Sequence, residues 1–196
     1  MSKKKEGGNP LFLSIENLKF FVNETQILFI KSLDVKFYKL LLIKGAVGAG
    51  KTTLLKVLSG VYTPTEGHFH ISSNSPVNKL YIHSNPVFNF ITGRVIDEAE
   101  LLRVSDKKLK IDLNRNVDEY SGGELKKLSI ELSVLSDYNL ILADEPFNML
   151  DDNEVEKLKC FLLNSFDKAK FIITTHEDIL DEYADAIIRL KDGSLA

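Results

Sequence analysis

The apolar positions of this chain fall into short runs at its start and into longer alternating blocks after it. From Leu11 to Ile43 the runs Phe12-Leu13-Ser14-Ile15, Leu18-Lys19-Phe20-Phe21, Ile27-Leu28-Phe29-Ile30 and Leu33-Asp34-Val35-Lys36-Phe37 predict strands joined by tight turns. Leu40-Leu41-Leu42-Ile43 reads as a buried strand, and Leu54-Leu55-Lys56-Val57-Leu58 as a helix that Gly60 ends. The turn Val61 to Gly67 leads to a strand at His68-Phe69-His70-Ile71, and Leu80-Tyr81-Ile82-His83 is another, ending at Ser84-Asn85-Pro86. Between Val87 and Tyr120 the pattern turns polar and helical, with Ile96 to Leu102 the clearest amphipathic segment. Leu125, Leu128, Leu132 and Leu135 then recur at helical spacing, while Leu140 to Ala143, Phe171 to Ile173 and Ile187 to Leu190 read as strands, the last closing a hairpin. The expected fold class is α/β: one domain over 11–196, with a helical insertion at about 87–135 and a flexible tail at 1–10.

Composition narrows the class. With 196 residues, 44% of them hydrophobic, the chain can bury a real core. A formal charge of −3 gives no footprint for a duplex, so no nucleic acid is expected as a partner. Cys160 is the sole cysteine, which excludes an internal disulfide and a multi-cysteine metal site, and it reads as a bystander thiol. The start carries Lys3-Lys4-Lys5 without the apolar core of a signal peptide, and no run approaches the ~20 apolar residues that span a bilayer. A cytoplasmic chain is expected, reaching a membrane only through a partner.

The densest chemistry lies at Gly45-Ala46-Val47-Gly48-Ala49-Gly50-Lys51-Thr52-Thr53, a GxxxxGKT pattern between a strand and a helix. Glycines allow successive N–H groups to turn inward on a phosphate chain, and the helix start adds free amides and the positive end of its dipole. Lys51 is expected at the β- and γ-phosphates, Thr52 on Mg²⁺ and Thr53 at the α-phosphate. The chain therefore binds a nucleoside triphosphate.

A second serine and glycine cluster, Tyr120-Ser121-Gly122-Gly123-Glu124, also stands at a helix start. It is either a second anion-binding device or a plain helix cap, with Glu124 closing a capping box on Ser121. Asp144 and Glu145 follow a buried strand, at the end where parallel sheets bind ligands. Asp144 is expected to hold Mg²⁺ and Glu145 to take a proton from the attacking water. His176 ends another strand, as a donor to the γ-phosphate or as a structural residue. One of Phe20 and Phe21, with Phe21 preferred, stacks on a base, or both belong to the sheet. His68 and His70 share a strand face without a third ligand nearby and read as exposed edge residues.

In order, these motifs resemble those of the ATP-binding cassette (ABC) family, from Leu11 to the end. Gly45 to Thr53 is similar to its Walker A segment, Tyr120 to Glu124 to its signature, Leu140 to Glu145 to its Walker B, Leu150-Asp151 to the end of its D-loop, and His176 to its switch histidine. The resemblance implies a P-loop NTPase (RecA-like) core with an antiparallel amino-terminal subdomain, and ATP with Mg²⁺. It implies ATP hydrolysis that powers transport through a separate integral membrane subunit, with the chain held at the inner face of the cell membrane. It also implies head-to-tail pairing with a second cassette, identical or not, in which Ser121, Gly122, Gly123 and Glu124 serve the partner's nucleotide. Ser84 stands where the family has a metal-contacting glutamine. Ala46 and Val47, Tyr120 and Leu132 are further departures. The stretch Asn85 to Glu98 is similar to the ATPases of energy-coupling-factor importers, which favours import. A soluble cassette that regulates or remodels a complex is the alternative; a P-loop kinase would leave Ser121 to Gly123 and Asp144 to Pro146 unexplained.

Overall fold

The computed structural model describes residues 9–104 and 114–196. The expected tail therefore falls mostly, and the middle of the expected insertion partly, outside the described residues.

Strands β1 (Leu11–Val22) and β2 (Thr25–Phe37) form one long antiparallel hairpin, with β4 (Glu66–Ser72) on the free edge of β1. This corrects the expectation of four short strands. The polar interruptions that divide the apolar runs face one another across the ladder, Glu16 opposite Ser32, so pairing carries straight through them. Asn23 and Glu24 both take positive φ, which gives the two-residue hairpin turn that suits the twist of the strands. His68 and His70 stand exposed on the edge strand, and His68 Nε2 lies 3.4 Å from Glu16 Oε2.

The larger sheet has the order β5-β6-β7-β3-β8-β9, where β3 is Leu40–Lys44, β5 Lys79–Ile82, β6 Leu140–Asp144, β7 Lys170–Thr175, β8 Ala186–Lys191 and β9 Ser194–Leu195. It is parallel except for the terminal β8–β9 pair. Alternation along β3 decides which layer each side chain joins. Leu41 and Ile43 pack with helix α1 (Lys51–Ser59) and the antiparallel sheet, whereas Leu40 and Leu42 pack toward helices α3 (Gly122–Leu135) and α4 (Asp152–Ser165).

Helix α3 divides its apolar residues between two cores. Ile130 and Val134 face the large sheet, while Leu125, Leu128 and Leu132 join Val95 and Ala99 of helix α2 (Val95–Leu101) in a separate cluster. The leucine repeat legible in the sequence is thus the face toward the helical segment.

Parallel register places the active ends together. Lys44, the last residue of β3, is level with Thr175 of β7, and Asp144 of β6 is level with Thr174. The three segments that leave β3, β6 and β7 therefore emerge side by side at the carboxyl edge of the sheet, which is where α/β folds bind ligands.

Candidate nucleotide site

The loop from β3 into α1 has the backbone that its glycines demand. A Cβ on Gly45 would lie 2.4 Å from the carbonyl oxygen of Leu190 in β8, so the loop passes against that strand only without a side chain. Gly48 has φ +85°, in the left-handed region, with open space around it. Helix α1 starts at Lys51 with Gly50 as its N-cap, so no side chain closes its first amides, and its first turn holds no acidic residue. This is an unblocked helix N-terminus turned to the cavity.

Around it lies a cavity of about 380 Å³ lined by Ile27, Val47 to Thr53, Ser84, Asp144, Glu145, Asn148 and His176. Lys51 is buried, with 6% of its surface exposed; its Nζ donates to Gly45 O at 2.9 Å and Ala46 O at 3.2 Å, and it lies 3.0 Å from Glu145 Oε1. The other Glu145 oxygen is 3.1 Å from Nδ1 of the exposed His176. Glu145 thus bridges the P-loop lysine and the histidine beyond β7. Asp144, 2% exposed, accepts from the Thr52 hydroxyl at 2.9 and 3.1 Å and from the Thr174 hydroxyl at 2.7 Å. Burial, helped by the nearby Asp144 carboxylate, pushes the Tyr81 phenol far above its usual value.

The family model described as "ABC transporter" matches residues 30–148, more than half of the chain and including the P-loop, the Ser-Gly-Gly segment and the Asp144-Glu145 pair. The chain belongs to the ABC transporter family. This cassette is similar to the lipoprotein-releasing system ATP-binding protein LolD of Francisella tularensis, at 30% identity over 95% of this chain and 96% of that one. It is 26% identical to the putative hemin import ATP-binding protein HrtA of Staphylococcus epidermidis, over 88% of this chain and 91% of the relative. Among solved structures, an ATP-binding subunit of an ABC transporter superposes with TM-score 0.76 at 20% identity, covering 94% of this chain and 88% of the other. A dimeric bacterial ABC transporter cassette gives 0.74 at 21%, over 93% and 96%. The chain is therefore an ABC-type ATPase, a nucleotide-binding subunit that hydrolyses ATP, on the P-loop NTPase fold.

The cassette gathers Gly48 to Thr53, Ser84, Asp144, Glu145 and His176 around one cavity. It does not bring the phenylalanines there. Phe20 stacks on Tyr62 with ring centroids 5.1 Å apart and planes 7° from parallel, and Phe21 is half-buried on β1. The hydrophobic residue of the amino-terminal hairpin that lines the cavity is Ile27.

Ser121 to Glu124 lie outside the cavity lining, on an exposed helix start. Ser121 is the N-cap of α3: its hydroxyl accepts from Glu124 N at 3.2 Å, and Glu124 Oε2 accepts from Ser121 N at 2.9 Å, a closed capping box. The Ser121 amide holds the Glu124 carboxyl below its usual range. Asp151 makes the same box with Glu154 at the start of α4.

Sequence reasoning missed two buried lysines and one threonine. Lys126 of α3 donates to Asn148 O; burial lowers its ammonium, opposed by the charges of Glu145, Glu154 and Glu177. Lys44 pairs with Asp178 and with Asp181, the latter at 2.7 Å, and these bonds outweigh burial and hold its ammonium above the usual value. A charged residue ending an apolar strand run was the available signal for Lys44. Thr174 had none, because its importance comes from sideways register.

Proposed function

We propose that this ATPase is the motor subunit of a membrane transporter, acting through a separate membrane-embedded subunit and closing on a second cassette when ATP binds. The observation that carries the reading is the separation of the two halves of the site. Among the described residues, none of Ser121 to Glu124 lines the chain's own P-loop cavity, although they form an exposed helix start with two glycines. A second cassette placed head to tail supplies that segment to this cavity and receives the same in return.

The fit to ATP and Mg²⁺ rests on the donors present. Backbone amides of the loop and the open start of α1 suit phosphate oxygens, and Thr52 and Asp144 present hard oxygen donors 2.9 Å apart, the type Mg²⁺ prefers. Thr52 and Asp144 would hold the ion, with Ser84 on the wall of the same cavity to serve through a water; the bound ion would neutralise phosphate charge. Lys51 turns from the Gly45 and Ala46 carbonyls to the β- and γ-phosphates. Glu145, released from Lys51, accepts the proton of the attacking water, and His176 holds the carboxylate in place and donates to the γ-phosphate. Asp151 sits at the start of α4, on the loop that follows the catalytic strand, and faces the second cassette.

A membrane subunit has a surface to meet. Val87, Phe88, Ile91 and Leu101 are exposed apolar residues, Ile91 at 85%, and Phe88, Ile91 and Leu101 line a cleft of about 290 Å³ between β5, α2 and α3. Docking on such a subunit would hold the chain at the inner face of the membrane; no helix of the described residues is long and apolar enough to cross one.

The test is the solution mass of the Glu145→Gln chain with and without Mg-ATP. A monomer that becomes a dimer supports closure on an identical cassette. A chain that binds ATP yet remains single, and fails to co-purify with a multi-span membrane protein, refutes the reading.

A further inference from the structure

Thr174 is fully buried near the end of β7, level with Asp144 in the sheet. Its hydroxyl donates to Asp144 Oδ1 at 2.7 Å and accepts from the Glu145 amide at 2.9 Å; the same amide lies 3.2 Å from Thr174 O. One hydroxyl therefore uses both its donor and its acceptor on the two consecutive acidic residues of the site. Glu145 has φ +43°, a backbone conformation that a residue with a side chain holds only when its surroundings impose it. On its face of the strand Thr174 follows buried Ile172, and across the sheet it is level with buried Ile43, so a valine of the same shape would satisfy the packing. The hydroxyl answers a different need.

We infer that Thr174 is a positioning residue for ATP hydrolysis, orienting the Asp144 carboxylate for Mg²⁺ and the Glu145 backbone for its carboxylate's place between Lys51 and His176. The inference rests on the roles proposed above for Asp144 and Glu145. The Thr52 hydroxyl spans both Asp144 oxygens, and it is the group that would turn to the metal. Thr174 then keeps its donation to Oδ1 and leaves Oδ2 without a bond from it. The bond to the Glu145 amide ties the residue of positive φ to β7, so its carboxylate is aimed by the sheet.

The experiment compares Thr174→Val and Thr174→Ser with the wild type, using a fluorescent ATP analogue titrated with Mg²⁺, and ATP turnover alongside. The valine variant is expected to need about tenfold more Mg²⁺ for half-maximal tightening of nucleotide binding and to turn over about tenfold more slowly, the low end of the range for losing one hydrogen bond to a charged acceptor. Its affinity without Mg²⁺ and its KM for ATP should stay at the wild-type value. Serine should restore both properties. A merely structural role would lower the melting temperature without moving the Mg²⁺ requirement. Wild-type Mg²⁺ dependence in the valine variant, or a serine variant as impaired as valine, overturns the inference. Should valine prevent folding, Thr174→Cys, similar in size and a weak hydrogen-bonder, is read by the same criteria. If the wild-type chain itself shows no Mg²⁺ effect on binding, the role of Asp144 has failed instead, and the two failures are told apart.

Discussion

At the start of α1 the helix has a glycine N-cap, no carboxylate in its first turn and a lysine drawn in against the loop, whereas at the start of α3 the chain closes its own first amides with Ser121 and Glu124. Both are helix starts preceded or opened by glycine, yet one is left open and the other is capped. The open one faces a cavity of its own chain, where buried Lys51 and Asp144 pair with half-buried Glu145 and Thr52. The capped one stands exposed. A helix end that takes phosphate from within keeps its amides free, while an exposed one keeps its first turn folded with a cap; under the proposed pairing, that capped end is the one offered to a second cassette. The cap also aims its donor: with the Ser121 oxygen accepting from Glu124 N, the hydroxyl proton is free to point outward.

The strongest way to break this comparison is at the open end. Lys51→Ala removes the cation that pairs with Glu145 and that is assigned to the phosphates. Nucleotide affinity is expected to fall about a hundredfold or more, in keeping with the roughly 3 kcal/mol lost when one partner of a buried pair is removed. Equilibrium binding of a fluorescent ATP analogue measures it, and tight binding by the alanine chain would contradict the P-loop assignment. Glu145→Gln acts at the same end with a different signature. Its turnover should drop by about 10²–10³-fold while ATP binding persists, because the amide keeps the shape and loses the base. Undiminished turnover removes Glu145 from the mechanism.

At the capped end Ser121→Ala separates the two functions of one residue. Losing the cap should cost about 1 kcal/mol of stability, read by denaturant unfolding. Turnover should fall while the ATP affinity of the isolated chain stays unchanged, since the segment lies outside its own cavity. An equal loss of affinity in the monomer would mean that Ser121 serves the nucleotide of its own chain.

The same contrast explains what the sequence could tell. The P-loop, Asp144-Glu145 and His176 were legible because each is a local event, a buried strand followed by a fixed set of residues. The convergence of these segments followed from a parallel sheet. Lateral contacts were hidden: Thr174 gains its role from register with β6, and Ile27 reaches the cavity through the pairing of two long strands that looked like four short ones. Phe20 satisfies itself against Tyr62, which lies beyond the P-loop helix in the chain. Asp151 is a different case, since Asp-x-x-Glu has the spacing already recognised at Ser121, and the signal was present without being used.

The smallest expected effect concerns the pH dependence of the cap at α3. The Ser121 amide donates to Glu124 and depresses its carboxyl below the ordinary 4.5. A depressed acid contributes stability that is complete above its unfolded-state pKa and is lost as the pH falls through its folded-state value. Glu124 is exposed, so screening limits this contribution to about 0.5 kcal/mol. Glu124→Gln should therefore melt slightly below the wild type at pH 7, and the gap should close as the pH is lowered through the acid range. A gap that persists at low pH would assign the stabilisation to side-chain packing or a neutral hydrogen bond rather than to the charge. In that case the exposed end would owe nothing to electrostatics, and the partner's phosphate would meet a helix start whose cap can be exchanged without expelling an anion.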